Sequence, residues 1–262
     1  MREFGRMVLK TLENLGIECL TAPEDTYIYN YDAYLSKGNA NFVLLPKTDE
    51  ELFAVVKLLN ELKKPYLIRA AGTNYPGGVQ PRNQEIVVSV NRIKSRIYKI
   101  SDHIFGASVS TTLQEINRHL QSEGKFYPPD PASQRVCTLG GTVSMNAGGA
   151  QCYMYGVTSN YIREIHLTTP SKGSLVLGSN SLYMLPNYPL KELFIGSEGT
   201  LGVISDVSFS VLKTADYVQD MVLQFGDYER AVEFIDFLIE NHLMAAAIDM
   251  STDPFVPGIS QK

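Results

Sequence analysis

The stretch Thr138 to Gly149, TLGGTVSMNAGG, constrains this chain more than any other. It carries glycine at 140, 141, 148 and 149, hydroxyls at Thr142 and Ser144, an amide at Asn146, and hardly any bulk. Glycine admits positive φ and lets a neighbouring group approach the backbone closely. Loops of this kind turn several N–H donors toward one point and form a nest for an anion such as phosphate. A plain surface loop is the competing reading of a Gly/Ser/Asn cluster. Two more glycine-rich stretches weigh against it: AAGTNYPGG (Ala70 to Gly78) and GSEGTLG (Gly196 to Gly202). Three such bends predict one extended, phosphate-bearing ligand.

The partner classes narrow on charge. The 262 residues carry a net charge of -5, with no dense run of Lys and Arg. Nucleic acid as main partner requires a concentrated basic surface, which is missing. A pyrophosphate inside a pocket needs only local N–H groups. Cys19, Cys137 and Cys152 cannot all pair and show no CxxC spacing, so a reduced, cytoplasmic setting is expected. The N-terminus MREFGRMVLKTLENLG is charged throughout and does not read as a signal peptide. No apolar run is long enough to cross a bilayer.

The patterning gives alternating elements. A first helix is expected over Arg2 to Leu15. Tyr27, Tyr29, Tyr31 and Tyr34 then cluster around Asp32, read as a packed aromatic patch rather than a binding site. Phe42 to Leu45 reads as a strand. Thr48 caps a helix whose Leu52, Val55, Val56, Leu59 and Leu62 share one face. Strands follow at Tyr66 to Ile68, Ile86 to Val90, Ile97 to Ile100 and Phe105 to Val109. Thr112 and Glu115 have capping-box spacing and open a helix through Ser122, closed by Gly124. Pro128, Pro129 and Pro131 force an extended segment before the central stretch. Strands at Ile162 to Thr168 and Leu175 to Leu177 are joined by a turn at Pro170 to Gly173; Val203 to Val211 alternates as another. After Lys213, Val218 to Phe225, Tyr228 to Asn241 and Leu243 to Met250 read as strand, helix, strand. A piece this short cannot bury both sheet faces alone.

No GxxxxGK[ST] occurs, which argues against a P-loop, and no GxGxxG follows a strand and opens a helix, which argues against a dinucleotide fold of the Rossmann type. Phosphates are expected to meet loop amides rather than one helix end.

The order RAAGTNYPGG, FYPPDP, TLGGTVSMNAGG, YGVT, LFIGSEGTLGVIS resembles the FAD-linked oxidase superfamily, the vanillyl-alcohol-oxidase-type flavoproteins. Within it the sequence is most similar to the glycolate oxidase and D-lactate dehydrogenase group. The likeness covers roughly Phe42 to Leu212. It implies an α+β fold: a two-subdomain PCMH-type FAD-binding domain over 1–213 (about 1–100 and 101–213), then the truncated start of a ferredoxin-like α+β cap domain over 214–262.

It also implies roles at matching positions. Ala71, Gly72, Thr73 and Asn74 would form the first pyrophosphate loop, with Gly77 and Gly78 completing its turn. Pro131, Thr138, Leu139, Gly140, Gly141 and Thr142 would line the flavin and diphosphate path. Ser144, Asn146, Gly148 and Gly149 would form the second phosphate-contacting loop. Glu198, Gly199, Gly202, Val203 and Ile204 would sit by the adenosine or ring end. Relatives with covalent flavin commonly carry histidine in the first loop; none stands here, so the similarity points to non-covalent FAD. Ala70 stands where relatives often have glycine.

The implied reaction takes hydride from a 2-hydroxy acid to the flavin while a base takes the hydroxyl proton. No base is identified. His103, His119, His166 and His242 lack ligand spacing, so no metal site is predicted. Arg69 and Arg135 read as ion-pairing residues, and Cys137 and Cys152 as small packing residues. In hydroxy-acid relatives the substrate domain lies beyond this chain's end, so a protein partner or homo-oligomer is expected to cover the truncated part. Two alternatives stay open: a non-catalytic FAD-binding subunit or remnant, and an enzyme like UDP-N-acetylenolpyruvoylglucosamine reductase.

Overall fold

Two β-sheets, one mostly parallel and one antiparallel, share the chain up to Lys213. The computed structural model describes residues 11–12, 15–34, 37–169, 172–181 and 189–251. The first helix expected from the sequence lies outside the described residues apart from Thr11, Leu12 and Leu15, as do Pro170 and Ser171 of the turn at 170–173.

The first sheet runs β1 (Glu18–Leu20), β2 (Val43–Leu45), β4 (Ile86–Ser89), β3 (Tyr66–Arg69), with β1 antiparallel to β2 and the others parallel. β2 and β4 are buried along their whole length, as expected of parallel strands covered on both faces. Helix α1 (Asp49–Glu61) makes the crossover from β2 to β3. Thr48 caps it, its hydroxyl accepting from the Glu51 N–H at 3.2 Å, and Asp49, Glu50 and Glu51 meet the positive end of its dipole. Its buried face is Leu52, Val55, Val56 and Leu59, the spacing that one side of a helix requires.

The second sheet runs β5 (Ile97–Lys99), β6 (Ile104–Ser108), β10 (Val203–Ser210), β8 (Ile162–Thr169), β9 (Gly173–Gly178), antiparallel throughout. Because β5 pairs with β6, the chain changes sheets between Ser89 and Ile97, ahead of the boundary expected near residue 100. Helix α2 (Leu113–Gln121) begins at a closed capping box: Thr112 Oγ1 accepts from the Glu115 N–H and the Glu115 carboxylate accepts from the Thr112 N–H at 2.8 Å. A short pair, β7 (Lys125–Phe126) with β11 (Leu212–Lys213), closes this half.

One cluster of buried apolar side chains runs continuously from Leu44 and Val56 in the first half to Phe105, Ile165 and Phe209 in the second. Tyr127 stacks edge-on at its centre, 4.8 Å from the Phe209 ring. Arg96 joins the halves on the polar side, ion-pairing with Asp49 of α1 and reaching Asp206 of β10 at 3.5 Å. Burial raises the Asp206 carboxyl above its ordinary range, and Tyr98, lying across Gly106, donates its hydroxyl to it.

Beyond Lys213 the expectation holds for the helix only. α4 (Tyr228–Glu240) forms, capped by Asp227. Val218 to Phe225 and Leu243 to Met250 form no strand; among the described residues they find no sheet partner, and Val218, Met221, Val222 and Met244 are each more than 60% exposed. A strand is defined by its neighbour, and nothing here supplies one.

Thr112→Ala removes one half of the capping box. We expect a loss of about 1 kcal/mol of stability, read as a lower urea midpoint at unchanged slope.

Candidate functional site

The three glycine-rich bends meet in one cavity of about 610 Å³ between the two sheets. The first bend leaves the end of β3. Ala71, Gly72, Thr73 and Asn74 all line the cavity, and their backbone N–H groups make no hydrogen bond to protein among the described residues. Gly72 has φ of +70°, and the buried Arg69 guanidinium fills the space where a Cβ would go, so both the backbone and the packing call for glycine. Burial lowers the pKa of that guanidinium from its ordinary range, and Asp32 works against the drop. Arg69 Nη1 has no hydrogen-bond partner among the described residues.

The central stretch differs from the open loop expected of it. Leu139–Met145 is a short helix, α3, capped by Thr138 and closed by Asn146 in the left-handed region at φ 45°. Its first amides are already used: Leu139 N–H donates to Thr111 O, Gly140 to Val109 O, Gly141 to Thr138 Oγ1 and Thr142 to Thr138 O. Gly140 and Gly141 therefore contribute space rather than donors. A Cβ on Gly140 would lie 2.6 Å from that of Val109, and one on Gly141 would lie 3.2 Å from that of Ala70. The helix thus sits in contact with both sheets.

The third bend is sewn onto the end of α3. Gly196 N–H donates to Val143 O at 3.0 Å and Glu198 N–H to Ser144 O at 2.9 Å. Glu198 and Gly199 both have positive φ, which turns the chain directly into β10. Gly202, Val203 and Ile204 then form one wall.

Of the residues expected at the site, Gly77, Gly78 and Leu139 do not line the cavity; Pro131, Thr138, Gly140, Gly141, Thr142, Ser144, Asn146, Gly148 and Gly149 do, with the first and third bends. The Leu139 side chain is fully buried in the core. Gly78 lies where a Cβ would meet the Glu198 carboxylate at 2.3 Å, so it admits the third bend rather than touching the cavity.

Sequence reasoning passed over two acidic residues. Asp130 accepts from the Gln151 N–H, and Gly149 packs on its carbonyl so closely that a Cβ there would sit 2.2 Å away. Asp32, read as part of an aromatic patch, accepts from Asn74 Nδ2 at 3.2 Å. A lone carboxylate inside a run of tyrosines was the available signal. None of the four histidines lines the cavity. His166 meets Glu164 on β8, and burial raises the Cys137 thiol, which keeps it protonated and apolar in character. Among the described residues no cluster of potential ligands could hold a metal ion, and no helix is long and apolar enough to cross a membrane.

A model of the FAD binding domain family matches residues 40–178, just over half of the chain. Glycolate oxidase subunit GlcD of Escherichia coli is 30% identical over 238 residues, 90% of this chain and 47% of that protein. D-lactate dehydrogenase of Anaerostipes hadrus is 26% identical over 86% of this chain and 47% of its own. D-2-hydroxyglutarate dehydrogenase of Xanthomonas citri is 28% identical over 63% of this chain. The structure of alkyldihydroxyacetonephosphate synthase shares the fold with a TM-score of 0.74 at 19% identity, covering 87% of this chain and 44% of that one. The chain spans just under half the length of the first two relatives.

Gly149→Ala forces the Asp130 and Gly149 segments apart. We expect FAD affinity to fall at least about tenfold, in line with an overpacking cost of about 1–3 kcal/mol. Titration of the apoprotein with FAD, followed by flavin fluorescence, measures it.

Proposed function

The chain belongs to the FAD binding domain family, and from that premise we propose that it is the cofactor-holding part of a flavin-dependent 2-hydroxy-acid dehydrogenase of the glycolate and D-lactate type. One observation carries the reading. Among the described residues four adjacent amides make no hydrogen bond to protein, and their residues line a cavity walled mostly by glycine, alanine, serine and threonine, with Asn146 and Glu198 also in the wall. Unpaired donors of that kind suit a diphosphate, and a cavity of about 610 Å³ falls in the range of sites for large organic ligands.

In this reading Ala71 to Asn74 hold the diphosphate, α3 and the Gly148–Gly149 turn border its path, and Val203 and Ile204 flank a ring. Bound FAD supplies the hydride acceptor for oxidation of a CH–OH group. In this reading the cofactor is held non-covalently. Residues 1–213 make the cofactor unit, and 214–262 begin a cap. No proton acceptor or carboxylate clamp is assigned among the cavity residues; in this reading a protein partner or a larger assembly that covers the cavity brings them. The exposed apolar side chains of 217–250 support such a covering. Three free thiols fit a cytoplasmic setting.

The test is reconstitution. The protein, loaded with FAD, is mixed anaerobically with glycolate, D-lactate or D-2-hydroxyglutarate, alone and with a second polypeptide carrying the part of the relatives' fold that this chain does not match. We expect FAD uptake by the protein alone, and bleaching of the flavin's visible band only with the second polypeptide. Bleaching without it would remove the need for a partner. Flavin that no hydroxy acid bleaches in either setting would make the chain a non-catalytic FAD-binding subunit. Failure to take up FAD would end the proposal.

A further inference from the structure

The segment around Asp32 passes outside the first bend and ties down both its ends. Asp32 Oδ2 accepts from Asn74 Nδ2 at 3.2 Å, while Oδ1 accepts from Gln80 Nε2 at 2.7 Å and from the Tyr34 N–H at 2.9 Å. The next residue, Ala33, donates its N–H to Asn74 O at 3.2 Å. Asn74 is thus held at its side chain and at its carbonyl, which leaves its own N–H to the cavity. Gln80 is buried and donates its N–H to Gly77 O, so the same carboxylate that grips Asn74 also fixes the far end of the bend. From beneath, Arg69 fills the space under Gly72 and reaches Ile28 O, in the same passing segment, at 3.5 Å.

This bend has a physical problem that the contacts solve. Among the described residues the Ala71–Asn74 amides find no protein partner, so no ladder holds them. A site of that kind grips a ligand well only if its backbone is fixed beforehand from outside. A carboxylate near an anion site is electrostatically adverse, so its place there calls for a geometric reason. Three hydrogen bonds converging on its two oxygens provide one.

We propose that Asp32 is a positioning residue for the cofactor site: through Asn74 and Gln80 it holds the Ala71–Asn74 amides in the direction that receives the diphosphate. The inference rests on the reading of that bend given under the proposed function. Asp32 itself touches neither diphosphate nor substrate.

Asp32→Asn keeps an oxygen for Tyr34 and Gln80 but sets an NH2 group against that of Asn74. Asn74→Ala removes the same bond from the other side at a half-buried position, so it reports even if the first variant folds poorly. Hydrogen bonds to a charged group are worth about 1.5–3 kcal/mol, so each substitution is expected to weaken FAD binding by about tenfold or more. Because the two act through one bond, the double variant is expected to be about as weak as the worse single variant. The loss extends to ADP, which carries the diphosphate, and spares riboflavin, which does not. Asp32→Asn binding FAD as tightly as the wild type would overturn the inference. So would losses that multiply in the double variant, or riboflavin binding that falls as far as FAD binding. Wild-type protein that takes up no FAD removes the underlying reading and this inference together; wild-type protein that binds FAD while the variants match it removes the inference alone.

Discussion

A short helix placed in contact with two sheets at once is the constraint on which the rest of this structure depends. α3 touches Val109 at the end of β6 through Gly140 and Ala70 at the end of β3 through Gly141. Both contacts leave no room for a Cβ without movement, so the spacing of the two halves is set by hydrogen atoms where other residues would place methyl groups. The amides of Leu139 and Gly140 then bond to Thr111 and Val109, which locks the helix to the second sheet. Everything around the cavity inherits its position from this joint. The third bend hangs from the carbonyl end of the same helix, and the Gly148–Gly149 turn leaves from it toward Asp130.

The two glycine-rich stretches that look alike in sequence therefore do different work. In the central one the first amides of the helix are consumed internally and the glycines permit close packing. In the first one the Ala71–Asn74 donors find no protein acceptor among the described residues, and an arginine fills the space beneath the glycine. A nest for an anion and a close-packed joint both call for small residues, and composition alone does not tell them apart. What separates them is where each N–H group finds its acceptor, and those acceptors (Thr111, Val109, Thr138) come from distant or capping positions.

Much of the fold was legible. The face of α1, the capping box of α2 and the strands β2, β3, β6, β8 and β10 follow from apolar spacing and from Thr and Gly at element ends, because these signals are local. The convergence of three bends was legible as well, since three stretches of small residues recur along one chain. The helical state of Leu139–Met145 was not: two glycines near its start lower helix propensity, and the contacts that override it are tertiary. The small strands β1, β7 and β11 are too short to show a period. The role of Asp32 was hidden for another reason. Its partners Asn74 and Gln80 are far along the chain, so no spacing rule links them, while the tyrosines around it dominate the local pattern. The segments on either side of α4 carried the right residues for strands, but residue type cannot supply a neighbour to pair with.

Those two segments bear on how the chain behaves in bulk. Each is a run rich in exposed apolar residues that pairs with no strand among the described residues, the arrangement that folded proteins blunt with charges, prolines or coverings. Val218 to Phe225 holds Gln219, Asp220 and Gln224 as its polar interruptions, and Leu243 to Met250 holds Asp249. Such a surface favours self-association as concentration rises, even while the cofactor half stays folded, so association through 214–250 belongs to surface chemistry and not to misfolding.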